Sequence, residues 1–245
     1  MYDLQRKIFK ASVNGSSDIA RMRYYQKTLV NSKEAKLVAI RKVTQDNRGK
    51  KTPGVDGKLI LANHERIKLV NNLILDGSAD PIRRVCTPKP NSGRVLGILT
   101  IKDRVKQTLL NLALEPEWEA KFDSNSFGFR PGYSAADAKW LLTRQIQGAP
   151  KYFLGACIKG CFDNISHDYL LKKLNTIKMF ENQIKSWLKA GIFDSDFLTT
   201  RDFTDNRSGT PQGGTISPLL ANIALDGMEK LLKDKFNRDV CLIRY

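Results

Sequence analysis

A glycine-rich stretch at residues 209–223, with the sequence GTPQGGTISPLLANI, carries the clearest chemical signal of this chain. Gly213 and Gly214 permit positive φ and let the backbone approach a ligand closely. Ser217 followed by Pro218 is typical of a helix N-terminus, which favours anions because its first N–H groups are unpaired. The stretch therefore predicts a site that handles a nucleotide or a nucleic-acid end.

Patterns of apolar spacing predict the elements that position this stretch. A basic helical region over 18–45 is followed, after a turn-rich link, by a helix over 64–75. Thr100 and Asp103 have the spacing of a capping box and predict a long helix that reaches Trp118. The remaining predictions are strands at 82–86, 94–99 and 152–158, helices at 166–174, 183–190 and 217–232, a hairpin at 197–205 and a β-rich segment at 240–245.

Positive charge is concentrated near the N-terminus. The chain has 41 Lys and Arg against 25 Asp and Glu, a net charge of +16, and ten of the basic residues lie between residues 21 and 51 beside only two acidic ones. Such a run attracts polyanions, RNA or DNA first, and tyrosines within it can stack on unpaired bases. A solvated charged face is the alternative interpretation. The residues predicted to bind RNA are Arg21, Arg23, Tyr24, Tyr25, Lys27, Lys33, Lys36, Arg41, Lys42, Arg48, Lys50 and Lys51.

Composition argues against two other classes of protein. The cysteines Cys86, Cys157, Cys161 and Cys241 lack the spacing of a metal site, so we expect reduced thiols in a cytosolic or organellar-matrix setting. No run of 18 apolar residues is present, and the first 15 residues do not show the apolar core of a signal peptide. We therefore expect neither a membrane span nor a disulfide-bonded secreted domain.

Six further motifs precede the glycine-rich stretch in a fixed order. They are KTPGVDG at 51–57, RRVCTPKPN at 83–91, LGI at 96–98, TIKDR at 100–104, SFGFRPG at 126–132 and IKGCFDNI at 158–165. With them, the chain resembles the reverse transcriptases and maturases encoded by group II introns over roughly residues 20 to 245.

The resemblance implies an α+β fold with reverse-transcriptase-like fingers, a truncated palm and a helical basic N-terminal region. The expected divisions are a basic N-terminal region at 1–57, a fingers-like region at 58–150 and a partial palm at 151–245. The partial palm ends at Tyr245, before the expected Tyr-Ala-Asp-Asp motif is complete. Because an open strand edge exposes unpaired backbone groups, we expect a partner protein or assembly to cover it.

Polymerisation in the resembled family needs two divalent cations held by aspartates. Cys157 stands at one aspartate position, and the other two would follow Tyr245, so all three are missing. A thiol is a soft ligand that replaces a magnesium-binding carboxylate poorly. Asp163 lies six residues further on and matches a position that does not bind metal in the family. We therefore expect no catalytic residue and no cofactor, with Mg²⁺ bound only if a partner chain completes the palm.

Four residues match nucleotide-handling positions of the family. Phe162 matches the aromatic residue that excludes a ribose 2′-hydroxyl, and Gln212 matches the glutamine beside the incoming nucleotide. Arg83 and Lys89 match basic residues of the fingers that face its triphosphate. Each also has a structural interpretation, as a core residue for Phe162 and as solvated strand residues for the two cations.

These observations together predict a catalytically inactive protein that binds RNA, in intron splicing or within a ribonucleoprotein. One alternative is a repurposed structural subunit that docks on an acidic protein surface of a large assembly. Another is the N-terminal half of a split group II intron reverse transcriptase, although Cys157 argues against it. The expected compartment is an organelle, either chloroplast or mitochondrion, with the bacterial cytoplasm as the alternative.

Overall fold

The computed structural model describes residues 1–60, 62–87, 94–147, 151–194, 203–204, 209–210, 213–236 and 240–245. Within them, the helices are α1 (Tyr2–Val13), α2 (Ile19–Asn31), α3 (Lys33–Arg41), α4 (Asn63–Asn72), α5 (Ile101–Glu119), α6 (Ala135–Ile146), α7 (His167–Leu174), α8 (Lys178–Leu188), α9 (Ser217–Leu225) and α10 (Met228–Lys235). The strands are β1 (Ile82–Thr87), β2 (Arg94–Ile98), β3 (Ile192–Asp194) and β4 (Phe203–Thr204). A π-helical turn, Lys42–Asp46, follows α3 directly. The α+β fold class is confirmed.

The basic N-terminal region is helical as predicted, but two helices form it. Ser32 separates them, because its backbone is extended and its hydroxyl accepts a hydrogen bond from the N–H of Ala35 at the start of α3. Met22 and Leu29 are buried on one face of α2, which leaves most of its charges on the exposed face. Helix α1, which the sequence patterns did not predict, packs against α2 and α5.

Helix α5 lies at the centre of the fold. Thr100 accepts a hydrogen bond from the N–H of Asp103, which confirms the predicted cap. The reciprocal half of the capping box is absent, because the Asp103 carboxylate instead accepts bonds from the Asp80 N–H (2.8 Å) and from Trp187 Nε1 (3.2 Å). Burial raises the pKa of Asp103, and these two bonds oppose the increase. The N-terminal end of α5 is thus hydrogen-bonded to the segment before β1, through Asp80, and to α8, through Trp187.

The described strands form one sheet in the order β2-β1-β3-β4. β1 and β2 pair antiparallel, with Arg83 opposite Ile98, which confirms the predicted strand pair. β3 runs parallel to β1 and antiparallel to β4, two pairings that join distant parts of the chain. The hairpin predicted at 197–205 falls mostly outside the described residues, and its described strand Phe203–Thr204 pairs with β3.

The strand predicted at 152–158 is absent from the structure. This segment has no regular secondary structure, and its apolar side chains Tyr152, Phe153 and Leu154 are exposed. A strand needs a hydrogen-bonded neighbour, and no backbone hydrogen bond from the described residues reaches 152–158. The apolar, β-prone composition was therefore insufficient to predict the element.

The β-rich segment at 240–245 docks on the SFGFRPG motif. Arg244 bridges Ser126 in parallel, while the Phe127 N–H donates to the Arg244 carbonyl at 2.8 Å. The Arg244 guanidinium also donates to Ser126 Oγ at 2.7 and 3.0 Å. Part of the edge that we expected a partner to cover is thus paired within the chain.

One apolar core joins residues from all three expected divisions, for example Ile8, Leu110 and Phe180. The division boundaries remain predictions. The single helix predicted at 217–232 is two helices, because Gly227 adopts φ 77° between α9 and α10. Among the described helices, none has both the length and the apolar character needed to cross a membrane.

Lys106 places a charge inside this core. Its side chain is fully buried, and Nζ donates to Asp76 Oδ1 at 2.6 Å and to Ser78 Oγ at 3.0 Å. Burial alone would raise the pKa of Asp76, but the hydrogen bonds from Lys106 and Ser78 outweigh it and hold the pKa well below its ordinary range. The pair fixes the chain after α4 against α5.

We expect Lys106→Met to lower the free energy of unfolding by about 1 to 2 kcal/mol, because Asp76 loses a charged hydrogen-bond donor while its carboxylate stays partly solvated. Urea denaturation would measure the change. Lys178→Met is the matched control, since Lys178 forms an exposed pair with Glu181 at 3.0 Å whose loss should cost about 0.5 kcal/mol or less. Equal effects of the two substitutions would contradict a special role for the Lys106–Asp76 pair.

Candidate nucleic-acid interface

The glycine-rich stretch begins against the IKGCFDNI motif. The Gly209 N–H donates to the Ile165 carbonyl at 2.9 Å, and the Thr210 N–H donates to the Phe162 carbonyl at 2.7 Å. Gly209 has φ 86°, and a Cβ there would lie 2.6 Å from the Asp163 carbonyl oxygen. Only glycine allows this approach, so two motifs that are distant in sequence form one packed unit.

Gly213 packs against the backbone of Gly97, at a position where the sequence predicted contact with a ligand. It has φ 125°, and a Cβ on it would lie 2.4 Å from the carbonyl oxygen of Gly97 in β2. The prediction that this glycine lets the backbone approach a ligand is therefore corrected. Its physical role is to let the glycine-rich stretch lie against the β1–β2 pair.

The start of α9 also differs from its prediction. Ile216 occupies the N-cap position, and Ser217 is the first helical residue. Both are buried, and the Ile216 N–H lies 3.5 Å from Gln107 Oε1 of α5. The helix N-terminus that was expected to favour an anion is thus covered by protein.

Two adjoining cavities lie between α5, α9 and the N-terminal region. The first, of about 190 Å³, is lined by residues that include Asn111, Glu115, Phe129, Thr215 and Asn222. The second, of about 180 Å³, shares Asn111 and Thr215 with the first. Its other lining residues are Lys42, Val43, Asn47 and Thr108. The basic run therefore reaches, through Lys42, the edge of a partly open cavity.

A carboxylate and an amide meet between the two cavities. Asn111 Nδ2 lies 3.3 Å from Glu115 Oε1, while Asn111 Oδ1 is buried without a hydrogen-bond partner among the described residues. Burial raises the pKa of Glu115, Lys42 opposes the increase, and Glu119 adds to it. The site thus presents acceptor oxygens, and its charged groups are the Lys42 ammonium and the carboxylates of Glu115 and Glu119.

Arg130 holds the SFGFRPG motif in place. Its guanidinium donates to both oxygens of Glu119, with the shortest bond at 2.8 Å, and to the Ser126 carbonyl at 2.6 Å. The same group stacks on the rings of Phe122 and Tyr133, with centroids at 5.2 and 4.7 Å. These contacts are all within the chain, so the Arg130 guanidinium has a structural role and is not a candidate ligand-binding group.

Of the four predicted nucleotide-handling residues, the structure describes two, Phe162 and Arg83. Phe162 is half-buried against the main core, and its ring meets Phe129 edge-on at 6.2 Å. Arg83 is half-buried on β1, with its Nε buried and without a hydrogen-bond partner in the described part of the chain. Lys89 and Gln212 lie outside the described residues. Phe129, Asn111 and Glu115 were missed by sequence reasoning, although Phe129 lies inside a recognised motif.

The predicted RNA-binding residues divide into two groups. Tyr25 is half-buried against the core and Arg23 donates to the Asn175 carbonyl at 3.0 Å, while Lys50 donates to the Gln45 carbonyl at 2.7 Å. Lys36 is half-buried. The remaining residues are exposed: Arg21, Tyr24, Lys27, Lys33, Arg41, Lys42, Arg48 and Lys51.

Cys157, which we expect at an aspartate position of the resembled family, is exposed and lies in the segment without regular secondary structure. Magnesium prefers several hard oxygen ligands, and a thiol is a soft one. The described residues bring together no group of three His, Cys, Asp or Glu that could hold a metal ion. A thiol at this position is therefore a poor replacement for a magnesium-binding carboxylate, and the absence of Mg²⁺ stays a prediction.

Comparison with known proteins agrees with this architecture. The reverse transcriptase (RNA-dependent DNA polymerase) family matches residues 87–245, and the N-terminal domain of reverse transcriptase matches residues 1–73. Group II intron-encoded protein LtrA of Lactococcus lactis is 38% identical over 205 residues, which are 79% of this chain and 33% of LtrA. Maturase-like protein 1 of Euglena gracilis is 33% identical over 239 residues, which are 94% of this chain and 50% of that protein. This chain thus spans a third to a half of the length of these relatives.

A solved structure supports the fold. A chain of the partial Cas6-RT-Cas1–Cas2 complex superposes with a TM-score of 0.50 and 21% identity, over 84% of this chain and 34% of that chain. Identity at this level shows a shared fold and carries no statement about activity.

We expect Gly213→Ala to lower the free energy of unfolding by more than about 2 kcal/mol, because the new Cβ would clash with the Gly97 carbonyl at a φ that other residues rarely adopt. Gly227→Ala is the matched control. Gly227 also has positive φ, but a Cβ there meets nothing within 4 Å. Its cost should be about 1 kcal/mol. Thermal or urea unfolding would separate the two, and similar costs would disprove the backbone contact.

Proposed function

This chain belongs to the family of group II intron-encoded reverse transcriptases and maturases, and we propose that within it the chain binds RNA and does not polymerise. The RNA would be an intron during splicing, or the RNA of a ribonucleoprotein. Group II intron homologues support a function related to introns. Binding of RNA by this chain is our inference from its surface.

The observation that carries the proposal is the run of exposed positive charge that reaches the second cavity at Lys42. Exposed cations on α2, α3 and the turn after α3 lead to Lys42, which lines the second cavity. Such a run attracts the phosphate backbone over a distance and releases counter-ions when it binds. Tyr24, with 65% of its surface exposed, adds a ring on which a base can stack.

We propose that the chain does not polymerise because Cys157 offers a thiol where we expect a metal-binding carboxylate in the family. Two-metal catalysis requires carboxylates that bring two cations beside the reacting oxygens, and a thiol does not replace one. The retained glycines do not argue otherwise, because Gly209 and Gly213 have structural roles against protein backbone. A member of this family can therefore bind RNA without polymerising DNA, as we propose for this chain.

A second candidate function is a subunit of a protein assembly. The exposed apolar side chains Tyr152, Phe153 and Leu154 favour it, because contiguous exposed apolar groups are typical of interaction sites. The solved neighbour of this fold also lies in a multi-protein complex. In this alternative, the basic face would dock on an acidic protein surface. The third possibility, half of a split reverse transcriptase, has Cys157 against it.

We propose two compartments for this chain, an organelle or the bacterial cytoplasm. The relatives come from bacteria such as Lactococcus lactis and from eukaryotes such as Euglena gracilis. Both an organelle and the bacterial cytoplasm fit that distribution.

Salt-dependent RNA binding tests the main proposal. We expect affinity for a structured RNA to fall steeply with salt, and the triple substitution of Lys27, Lys33 and Lys51 by Gln to make the slope of log affinity against log salt shallower by about 2 to 3. The control replaces the exposed residues Lys139, Lys185 and Lys189 by Gln, which removes the same charge elsewhere. Fluorescence anisotropy gives both slopes.

Two results of this titration would count against RNA binding. The first is no binding at low salt while an acidic protein co-purifies, which would favour the subunit function. The second is an equal effect of the two triple substitutions, because net charge alone would then explain the attraction.

Primer extension tests the role of Cys157. The chain would be combined with a second polypeptide that supplies the Tyr-Ala-Asp-Asp motif, a primed RNA template and Mg²⁺. We expect no extension with Cys157 and a gain of extension with Cys157→Asp, because the hard carboxylate restores a magnesium ligand. Cys157→Ser is the control for loss of the thiol alone. Extension by the unmodified chain that disappears in Cys157→Ala would overturn the proposed inactivity.

A further inference from the structure

Phe129 combines an unusual backbone with an unusual exposure. It has φ 57°, in the left-handed region, and 69% of its surface is exposed. A bulky residue in this region costs free energy, and so does leaving a large aromatic ring in water. Strain of this kind persists only where the surrounding structure imposes it, and it is frequent at ligand sites.

The residues on both sides of Phe129 impose its conformation. The Gly128 carbonyl accepts a hydrogen bond from Asn222 Nδ2 at 2.8 Å, and a Cβ on Gly128 would lie 2.7 Å from the Tyr245 carbonyl carbon. Arg130 is fixed by Glu119 and by the carbonyl of Ser126. With both neighbours held, the Phe129 ring is kept in place at the surface.

The ring forms part of the wall of the 190 Å³ cavity. Pro218 and Leu219 supply apolar surface to the same cavity, and Asn111 and Glu115 supply polar groups. A flat, partly apolar ligand with a polar edge suits this combination. An exposed aromatic ring beside the cavity would stack on such a ligand.

The Glu115 carboxylate has free acceptor capacity in this cavity, because its hydrogen bond from Asn111 Nδ2, at 3.3 Å, uses only part of it. The amides of Asn111 and Asn222 each carry a second N–H. The Glu119 carboxylate is engaged with Arg130. A ligand edge with adjacent donors would therefore complement the Glu115 carboxylate.

We propose that this cavity receives an unpaired guanine of a bound RNA, stacked on Phe129, with its N1–H and N2–H donating to the Glu115 carboxylate. Guanine alone among the four bases carries two adjacent donors on its Watson–Crick edge. Adenine and cytosine place an acceptor nitrogen beside their amino group, which the carboxylate would repel. Uracil places its single donor between two carbonyl acceptors. The inference rests on the proposed binding of RNA and names the base and the site.

The test uses four RNA hairpins with the same stem and one bulged nucleotide, G, A, C or U. Anisotropy at one fixed salt concentration should show the G bulge bound about tenfold more tightly than the others, the scale of one good base contact. Phe129→Gly should weaken binding of the G bulge by about tenfold. It should leave the salt slope unchanged, because no phosphate contact is lost. Glu115→Gln should remove the preference for G, because the amide no longer accepts two adjacent donors and no longer repels the acceptor nitrogens of A and C.

Folding is controlled in the same variants. Phe129→Gly should unfold at the same or a higher temperature, because glycine adopts φ 57° without strain. Phe236→Ala removes an exposed ring elsewhere and should bind all four hairpins like the unmodified chain. A lower melting temperature together with lost binding would indicate that Phe129 is structural, and would overturn the site.

The outcomes separate the site from the function. Equal affinity for the four bulges, or unchanged binding by Phe129→Gly, overturns the guanine site while RNA binding stands. Failure of the unmodified chain to bind any hairpin at low salt overturns both. A G preference that depends on Phe129 and Glu115 supports both.

Discussion

Helix α5 constrains the whole structure, because it is buried along most of its length and yet carries charged side chains. A buried charge without a partner costs several kcal/mol, so each must find one in a particular neighbouring segment. Arg104 donates to the carbonyls of Leu99, Gly49 and Thr52. Glu117 accepts a bond from Gln26 of α2 at 2.7 Å. The loop after the basic run and helix α2 are thereby held to the same helix.

The same helix also builds the candidate interface. Asn111, Glu115 and Glu119 follow one another at helical spacing of four, so they lie on one face. All three line the first cavity, and Glu119 is paired there with Arg130 at 2.8 Å. Core and site are therefore not separable: the requirement to satisfy buried charges on α5 also positions the groups that meet a ligand.

The glycine-rich stretch shows how a family motif relates to function. Its glycines contact the protein backbone of Asp163 and Gly97, so they join the palm-like segment to the β1–β2 pair. Such contacts would keep the motif recognisable whether or not the chain carries out chemistry. Cys157 is different, because its exposed side chain has no such packing role. A shared fold therefore does not by itself establish a shared activity.

Sequence alone determined the features that depend on local physics. The cap at Thr100, the β1–β2 pair, the basic helices and the family follow from short-range patterns and ordered motifs, and all of them are present. Local patterns failed where a neighbour decides the outcome. The segment at 152–158 has strand composition without a hydrogen-bonded partner among the described residues, and Ile216 is buried by α5.

Only the tertiary structure decided what the glycines and the cavity residues do. Gly213 was predicted from its freedom of φ, but the identity of the group that approaches it depends on where β2 lies. Asn111 and Glu115 lie on one face of α5, but no spacing in the sequence places Phe129 of the SFGFRPG motif beside them. The physical reason is that residue type fixes which contacts a side chain needs, whereas long-range packing fixes which contacts it obtains.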